Sequence, residues 1–256
     1  MKIYCCQFDI AWENKPANFA KARLLLEAAK PERGSLVLLP ELFATGFTMN
    51  AAPFAEKPGA ETEQFLTSLA RELGVFVLGG VLGAGAQGRG RNLSVGFSPE
   101  GREVARYLKM QPFTPGGESA AYEAGKETVL FHWQGFTVAP FICYDLRFPE
   151  HFRAATRRGA QLITVLSSWP VQRIEHWVTL LRARAIENQA FVAGVNRCGT
   201  DPKFVYSGRS LVVGPGGDIL ADAGDGEKVI SAEVDLAKLL AYRKELPFLA
   251  DMRPAR

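Results

Sequence analysis

The pattern of apolar and polar residues divides the chain into short apolar strands that alternate with helices apolar on one face. In the first half, this pattern predicts two helices, over residues 19–29 and 65–73. Gly34 and Gly74 mark the ends of these helical segments, and Gly74 is a typical residue for the position after a helix. The same pattern predicts strands over residues 3–9, 35–40, 75–82, 92–97 and 102–108, the last two flanking a Ser-Pro-Glu-Gly turn.

The second half repeats this order of elements. Helices are predicted over residues 149–158 and 173–188, and strands over 136–143, 162–167, 191–195, 210–213 and 218–221. An additional strand is predicted over 229–235, followed by a C-terminal tail over 236–256. The two halves, about 1–110 and 133–235, both follow the order β-α-β-α-β-β. Their alignment places residues 6–9 on residues 142–145, so that Asp9 matches Asp145, which we interpret as a structural residue at a strand end.

This internal repeat predicts an α/β fold in which two similar mixed sheets pack together with helices outside them. The expected architecture is a four-layer α-β-β-α sandwich in one domain spanning residues 1–256. A single doubly wound sheet is the alternative that periodicity alone leaves open. Residues 111–127 have no counterpart in the repeat and are rich in Gly, Pro, Ser and Glu, which is typical of an inserted functional loop.

Composition and charge narrow the possible classes of protein. The chain has 256 residues, of which 47% are hydrophobic, which is too many for a disordered protein. Thirty Lys and Arg residues against 27 Asp and Glu residues leave a net charge of only +3, and the basic residues are scattered. We therefore expect neither a nucleic-acid nor a membrane partner. The longest uncharged stretch, residues 128–144, is too short to span a bilayer, and the N-terminus predicts a strand in place of a signal peptide.

The four cysteines and three histidines show no metal-ligand spacing. We expect free thiols in a reducing cytoplasm, with Cys5 and Cys6 on opposite faces of one strand, and no bound metal. Residues 83–88 match the pattern GxGxxG, but a strand follows them where a dinucleotide site requires a helix. No cofactor is therefore expected.

Three predicted strands end in a chemically reactive side chain. Glu41 follows the apolar sequence LVLLP, Lys109 follows RYL, and Cys143 follows VAPFI. Ligands collect at the carboxyl ends of strands in open sheets, so these side chains are candidates for a common site. Each also has a structural interpretation. Glu41 could stabilise a helix N-terminus, Lys109 could lie at a sheet edge, and Cys143 could be a small core residue.

Together, the motifs LLPEL, YLKMQPF and CYDLRFPE resemble those of the nitrilase (carbon–nitrogen hydrolase) superfamily, and the resemblance covers residues 2 to about 235. The sequences PELFATGF, SSWP and RARAIENQAFVAG are most similar to its omega-amidase branch. The resemblance implies a catalytic triad of Glu41, Lys109 and Cys143, with the family's second glutamate at Glu118. It also implies the four-layer sandwich, and a homodimer or larger homo-oligomer formed through the helices at 149–158 and 173–188.

The implied chemistry is amide hydrolysis with release of ammonia. Cys143 would attack the amide carbon to form a thioester, and Glu41 would transfer the protons. Lys109 and the backbone N–H of Tyr144 would stabilise the oxyanion. Glu118 would orient Lys109, or position Glu41 and the attacking water.

The resemblance also suggests the kind of substrate, because omega-amidases act on small 2-oxo acids that carry a terminal amide. The carboxylate of such a substrate requires a cation, which Arg147 or Arg173 could supply. Trp169 and Phe113 are candidates for the walls of a narrow pocket. Structural interpretations stay open, since Arg147 could brace a helix start and the aromatic rings could belong to the core.

Other functions remain as alternatives. Deaminated glutathione, carbamoyl compounds and short aliphatic amides are possible substrates of a related amidase. A catalytically idle binding scaffold is the alternative outside enzymes. A cysteine–histidine hydrolase would need a histidine directed at Cys143, and none of the three histidines follows a strand as Glu41 does.

Overall fold

The computed structural model describes residues 1–253, in which six helices and fifteen strands are assigned. The helices are α1 (Lys15–Ala29), α2 (Glu61–Leu73), α3 (Glu118–Ala121), α4 (Pro149–Arg157), α5 (Ile174–Asn188) and α6 (Leu236–Glu245). The strands are β1 (Lys2–Gln7), β2 (Leu36–Leu38), β3 (Phe76–Ala84), β4 (Gly90–Phe97), β5 (Glu103–Leu108), β6 (Tyr122–Glu123), β7 (Phe131–Trp133), β8 (Phe136–Ile142), β9 (Leu162–Ser167), β10 (Phe191–Asn196), β11 (Cys198–Thr200), β12 (Val205–Ser207), β13 (Leu211–Val213), β14 (Ile219–Asp222) and β15 (Lys228–Glu233).

Two mixed sheets with similar centres form the fold. The first has the order β15-β1-β2-β3-β4-β5, and β6 pairs with β4 at one end. The second has the order β14-β13-β10-β9-β8-β7. In each sheet three parallel strands lie at the centre, β1-β2-β3 and β8-β9-β10, and antiparallel strands flank them. This likeness confirms the predicted repeat of topology.

The alternation of side chains across each strand divides the core into layers. Cys5 of β1 faces the second sheet, where it shares one core with Leu166 of β9. Its neighbour Cys6 faces the opposite way, into a core with Leu26 of α1 and Leu66 of α2. A third core packs the outer face of the second sheet against α4 and α5. The α-β-β-α sandwich and the opposite orientations of Cys5 and Cys6 are therefore confirmed, and all four cysteines are free.

Several elements differ from the sequence-based expectation. The strand predicted over 229–235 is β15, which crosses back to pair with β1 and so completes the first sheet. No element was expected after residue 235, but α6 begins there, capped by the Asp235 side chain, which accepts a hydrogen bond from the Lys238 N–H. Only Leu239 of α6 is buried, so its apolar pattern is weak. Residues 254–256 of the predicted tail lie outside the described residues.

The segment predicted as an inserted loop, residues 111–127, contains regular structure. A 3-10 turn at Thr114–Gly116 leads into α3, and β6 follows. The short β7 and the β11–β12 hairpin were also not predicted, because strands of three residues carry little periodicity. Within residues 1–253 no helix is long and apolar enough to cross a membrane.

Gly80 of β3 lets the chain after β2 lie close to the sheet. A Cβ atom at this position would lie 2.3 Å from the Leu42 nitrogen, 2.6 Å from the Pro40 oxygen and 2.7 Å from the Glu41 Cα. All three are backbone positions, so a side chain could not be accommodated by rotating a neighbour. The absence of a side chain at Gly80 therefore allows the backbone around Glu41 to lie against β3.

We predict that Gly80→Ala lowers the free energy of unfolding by about 1–3 kcal/mol, the usual cost of forcing extra atoms into a packed core. The measurement is urea unfolding followed by circular dichroism. Gly216→Ala is the matched control, because its Cβ would come no closer than 3.4 Å to the Asp218 Oδ1 atom. Equal unfolding midpoints for the two variants would contradict this account of Gly80.

Candidate active site

Glu41 is held by donors on both of its carboxylate oxygens. The side chain is completely buried in the turn that follows β2. Its Oε1 atom accepts hydrogen bonds from Asn92 Nδ2 at 2.7 Å and Lys109 Nζ at 2.8 Å. Its Oε2 atom accepts from the Ser168 N–H at 2.9 Å. These contacts come from both sheets, so the orientation of Glu41 depends on how the sheets pack.

Lys109, directly after β5, lies between two carboxylates. Its Nζ atom donates to Glu41 and to both oxygens of Glu118, at 3.1 Å and 2.8 Å. Glu118 begins α3, and it also accepts from Asn92 Nδ2 at 2.8 Å and from the Phe113 N–H. The exposed fraction is at most 1% for each of four residues: Glu41, Asn92, Lys109 and Glu118. The cluster therefore buries two carboxylates and one ammonium group in mutual contact.

The environment keeps Lys109 protonated. Burial by itself would lower the pKa of this ammonium group, but the neighbouring carboxylates of Glu118 and Glu41 outweigh it and raise the pKa well above its usual value. A lysine in this state can donate hydrogen bonds and offset negative charge. It cannot act as the base of a reaction near neutral pH.

Cys143 is the first residue after β8 and begins a 3-10 turn, Cys143–Arg147. Its φ of 45° lies in the left-handed region, which is uncommon for any residue other than glycine. Burial raises the pKa of its thiol, and the Glu41 carboxylate raises it further, while the Lys109 ammonium group lowers it; the net result is a raised pKa. At neutral pH the free side chain is therefore a thiol, and a nucleophilic attack requires removal of its proton.

Cys143 opens into a pocket whose space, including the part open to solvent, is about 390 Å³. All the residues that the sequence analysis proposed for substrate contact line this pocket together with Cys143, namely Phe113, Tyr144, Arg147, Trp169 and Arg173. The remaining lining residues are Phe47, Ser168, Pro170, Phe204 and Tyr206. The structure thus brings the proposed wall residues and the proposed nucleophile to one cavity.

Two arginines lie against aromatic rings of this pocket. The Arg147 guanidinium is 4.8 Å from the centre of the Trp169 ring, and that of Arg173 is 5.6 Å from the centre of Phe113. Arg147 Nη2 also lies 3.2 Å from Nδ1 of His176, within hydrogen-bond distance. Within residues 1–253 neither arginine forms a salt bridge, so both are available to an anionic ligand.

Several residues of this site are not among those predicted from the sequence, including Asn92 and three residues that line the pocket. Ser168 follows β9 at the carboxyl end of a parallel strand, and the rule applied to Glu41 and Cys143 could have found it. Asn92 is a buried amide in β4, a strand that also contains Arg91 and Ser94, so it has no distinctive sequence signal. Phe204 and Tyr206 come from the β11–β12 hairpin, and no sequence pattern connects this hairpin with the pocket.

Arg197 holds the β11–β12 hairpin in place. Its buried Nη2 atom donates to Asp9 Oδ1 at 2.9 Å and to the Thr200 carbonyl at 2.8 Å, and its guanidinium lies 4.4 Å from the centre of the Tyr206 ring. The hairpin is thereby fixed to the segment after β1, and it closes one side of the pocket.

A family model for carbon–nitrogen hydrolases matches residues 2–244 of this sequence, which is nearly the whole chain. The chain belongs to the carbon–nitrogen hydrolase family. It is 34% identical over 252 residues to the 2-oxoglutaramate amidase of Bacillus subtilis (strain 168), covering 98% of this chain and 97% of that protein. It is 36% identical over 253 residues to omega-amidase YafV of Yersinia enterocolitica, covering 98% and 96%.

The structure of this carbon–nitrogen hydrolase is also similar to solved structures of the superfamily. The crystal structure of XC1258 from Xanthomonas campestris, described as a CN-hydrolase superfamily protein with an arsenic adduct in the active site, superposes with a TM-score of 0.93. The two sequences are 32% identical, and the match covers 100% of this chain and 98% of that one. The resemblance found in the three sequence motifs is therefore confirmed at the level of the superfamily and of similarity to omega-amidases.

The described part of this carbon–nitrogen hydrolase has no cluster of three or more His, Cys, Asp or Glu side chains arranged to hold a metal ion. The charged and reactive side chains at and beside the pocket are Glu41, Glu118, Lys109, Cys143, Arg147 and Arg173. The site is therefore built around side-chain acids, one lysine and one thiol.

We predict that Lys109→Ala lowers the free energy of unfolding by about 3–5 kcal/mol, because two buried carboxylates would lose their common cation. Urea unfolding measures the effect. Lys21→Ala is the control, since Lys21 forms a partly exposed ion pair with Glu227 at 2.7 Å, and its loss should cost far less. Similar losses in the two variants would show that the buried cluster does not depend on Lys109.

Proposed function

We propose that this enzyme hydrolyses the terminal amide of a small carboxylate-bearing substrate, similar to 2-oxoglutaramate or 2-oxosuccinamate, to an acid and ammonia. One observation carries the proposal. The partly exposed Cys143 and two arginines without ion-pair partners share a pocket, and the buried Glu41–Lys109–Glu118 cluster adjoins it. Nucleophile, proton carrier and anion-binding groups are thus collected in one cavity.

The first step in the proposed mechanism is attack of the Cys143 sulfur on the amide carbon. Because the pKa of the thiol is raised, its proton must leave as the C–S bond forms, and the proposed acceptor is the Glu41 carboxylate, whose charge already acts on this thiol. The carbonyl oxygen becomes an oxyanion. The Lys109 ammonium group and the backbone N–H of Tyr144, which follows the nucleophile in its short helical turn, stabilise this charge.

The remaining steps of the reaction use the same groups. Glu41 returns its proton to the amide nitrogen, the C–N bond breaks, and ammonia leaves a thioester on Cys143. Glu41 then takes a proton from a water molecule that attacks the thioester. When the second tetrahedral intermediate collapses, the proton returns to the sulfur, and the free acid and the thiol are restored.

Glu118 supports these steps without taking part in the proton transfers. Both of its oxygens accept hydrogen bonds from Lys109, and it holds Asn92, which also donates to Glu41. It therefore orients the ammonium group and the carboxylate relative to each other. Its charge also helps to keep Lys109 protonated.

The shape and charge of the pocket support a small anionic substrate. Arg147 and Arg173 can form charge-assisted hydrogen bonds with a carboxylate, and Trp169 and Phe113 limit the space beside them. The names of the similar proteins, 2-oxoglutaramate amidase and omega-amidase, agree with this chemistry.

Deaminated glutathione, a carbamoyl compound or a short aliphatic amide is the alternative substrate. A catalytically idle scaffold is disfavoured, because the buried charges would have no use.

We further propose that residues 1–256 form one catalytic domain and that copies associate as a homodimer or larger homo-oligomer through α4 and α5. Ile186 on α5 is half exposed, so this helix offers an apolar side chain that a second copy could cover. Four free cysteines are typical of a reducing compartment and support a cytoplasmic enzyme.

We predict that Cys143→Ala abolishes ammonia release from 2-oxoglutaramate, with a loss in kcat of at least about 1,000-fold, because no thioester can form. Ammonia release in a coupled assay is the measurement. Cys5→Ala is the control, because Cys5 lies in the core between the sheets and away from the pocket, and it should retain activity. An active Cys143→Ala enzyme would refute the mechanism.

We predict that replacing the carboxylate-binding arginine raises KM for 2-oxoglutaramate by about 10–100-fold. This corresponds to the loss of a charge-assisted hydrogen bond that contributes roughly 1.5–3 kcal/mol. Arg147→Met and Arg173→Met are tested separately, and methionine preserves most of the pocket wall. A neutral amide such as butyramide provides the control, because its KM should not change in either variant. If both variants bind both substrates like the unchanged enzyme, the proposed substrate class is wrong.

A further inference from the structure

Asp145 is a completely buried carboxylate two residues after Cys143, and it lies outside the lining of the pocket. It accepts three hydrogen bonds. Its Oδ2 atom accepts from the Tyr107 hydroxyl at 2.7 Å and from the Ile142 N–H at 2.9 Å. Its Oδ1 atom accepts from the Gln111 N–H at 2.9 Å.

The three donors flank the two residues on which the proposed chemistry depends. Tyr107 and Gln111 lie two residues before and two residues after Lys109, and Ile142 directly precedes Cys143. Tyr107 lies in β5 and Lys109 directly follows the strand, so both belong to one short segment of chain. One carboxylate therefore connects the end of β5, in the first sheet, with the turn after β8, in the second.

The turn that carries the nucleophile needs such support. Cys143 has a φ of 45°, and the left-handed conformation costs about 1–2 kcal/mol for a residue with a side chain. The bond from Asp145 to the Ile142 N–H holds the residue before this turn. Tyr107 extends the contact, because its hydroxyl also accepts a hydrogen bond from the Met110 N–H at 3.3 Å.

We propose that Asp145 is a positioning residue for this reaction: it fixes Cys143 relative to Lys109 by binding the chain on both sides of the lysine and before the nucleophile. The proposal rests on the roles of Cys143 and Lys109 given under the proposed function. Asp145 touches neither the pocket nor the substrate, so its effect should appear in kcat and not in KM.

The corresponding residue of the first half does not have this role. Asp9 aligns with Asp145 in the internal repeat, but its side chain is 45% exposed and pairs with Arg197. Asp9 and Asp145 therefore do not share one structural role at a strand end, as their alignment in the repeat suggested. Only the half that carries the nucleophile has the buried, three-fold bonded carboxylate.

The charge of Asp145 gives this role a pH dependence. Burial raises the pKa of Asp145 to about 6, although Lys109 and the three hydrogen-bond donors act to lower it. The other charged or titratable groups around it are the Tyr107 hydroxyl, Arg184 of α5, which binds the Leu146 carbonyl, and His151 of α4, which contacts Gln111. Protonation below about pH 6 would remove one acceptor and loosen the three contacts.

The test is the variant Asp145→Asn, which has the size of the original side chain but one acceptor fewer. We expect kcat for 2-oxoglutaramate to fall by about 10–100-fold at pH 8, because a small misplacement of the reacting groups has an effect of this size. The KM should stay within about twofold of the wild-type value. The ratio of wild-type to variant kcat should shrink as the pH falls through about 6, because the wild-type residue then also becomes neutral. Asp235→Asn is the control, because it lies at the N-cap of α6, where asparagine serves equally well.

Tyr107→Phe is a second variant that keeps the proposal testable if Asp145→Asn does not fold. It removes one of the three donors, so we expect a smaller fall in kcat, of about three- to tenfold, again with KM unchanged. Wild-type kcat in a folded Asp145→Asn enzyme, or a change in KM alone, would overturn the positioning role. Activity in Cys143→Ala would instead refute the proposed function itself, which distinguishes the two failures.

Discussion

The contact of Lys109 with two buried carboxylates is the interaction on which the rest of the site depends. An ammonium group and two carboxylates cannot be moved out of water separately without a large cost, and each is stable here only because the others are present. The cluster draws Glu41 from the chain after β2, Lys109 from the end of β5 and Glu118 from the first residue of α3. Its geometry therefore fixes three distant parts of the chain at one point.

The two-sheet sandwich supplies the surroundings that this cluster needs. Apolar strands on both sides exclude water, and the parallel centres of both sheets direct their carboxyl ends toward the same region. Ser168, after β9 of the second sheet, donates its N–H to Glu41 of the first. The acid that would carry protons and the turn that carries the thiol thus lie at the junction of the sheets.

The proposed division of labour follows from these electrostatics. Carboxylates around Lys109 keep it positive and therefore suited to an oxyanion, while burial and the nearby Glu41 keep the Cys143 thiol protonated until a substrate arrives. A carboxylate takes the place that histidine has in many cysteine hydrolases. In the pocket beyond Cys143, two arginines lie against aromatic rings, so the cavity is positively charged but mostly apolar. Such a cavity suits a short substrate with an amide at one end and a carboxylate at the other.

The sequence by itself determined the alternation of strands and helices, the repeat that predicts two similar sheets, and the strand-end positions of Glu41, Lys109 and Cys143. These features depend on local periodicity and on short motifs, which one segment of chain can carry. Only the tertiary structure decided that Asn92 and Ser168 hold Glu41, from 51 and 127 residues away, and that Phe204 and Tyr206 close the pocket. It also decided that β15 joins the first sheet and that Asp145 differs from its counterpart Asp9. The reason is that such contacts arise when separate segments pack together, and the partner of a side chain is then set by the docking of the two sheets and not by its neighbours along the chain.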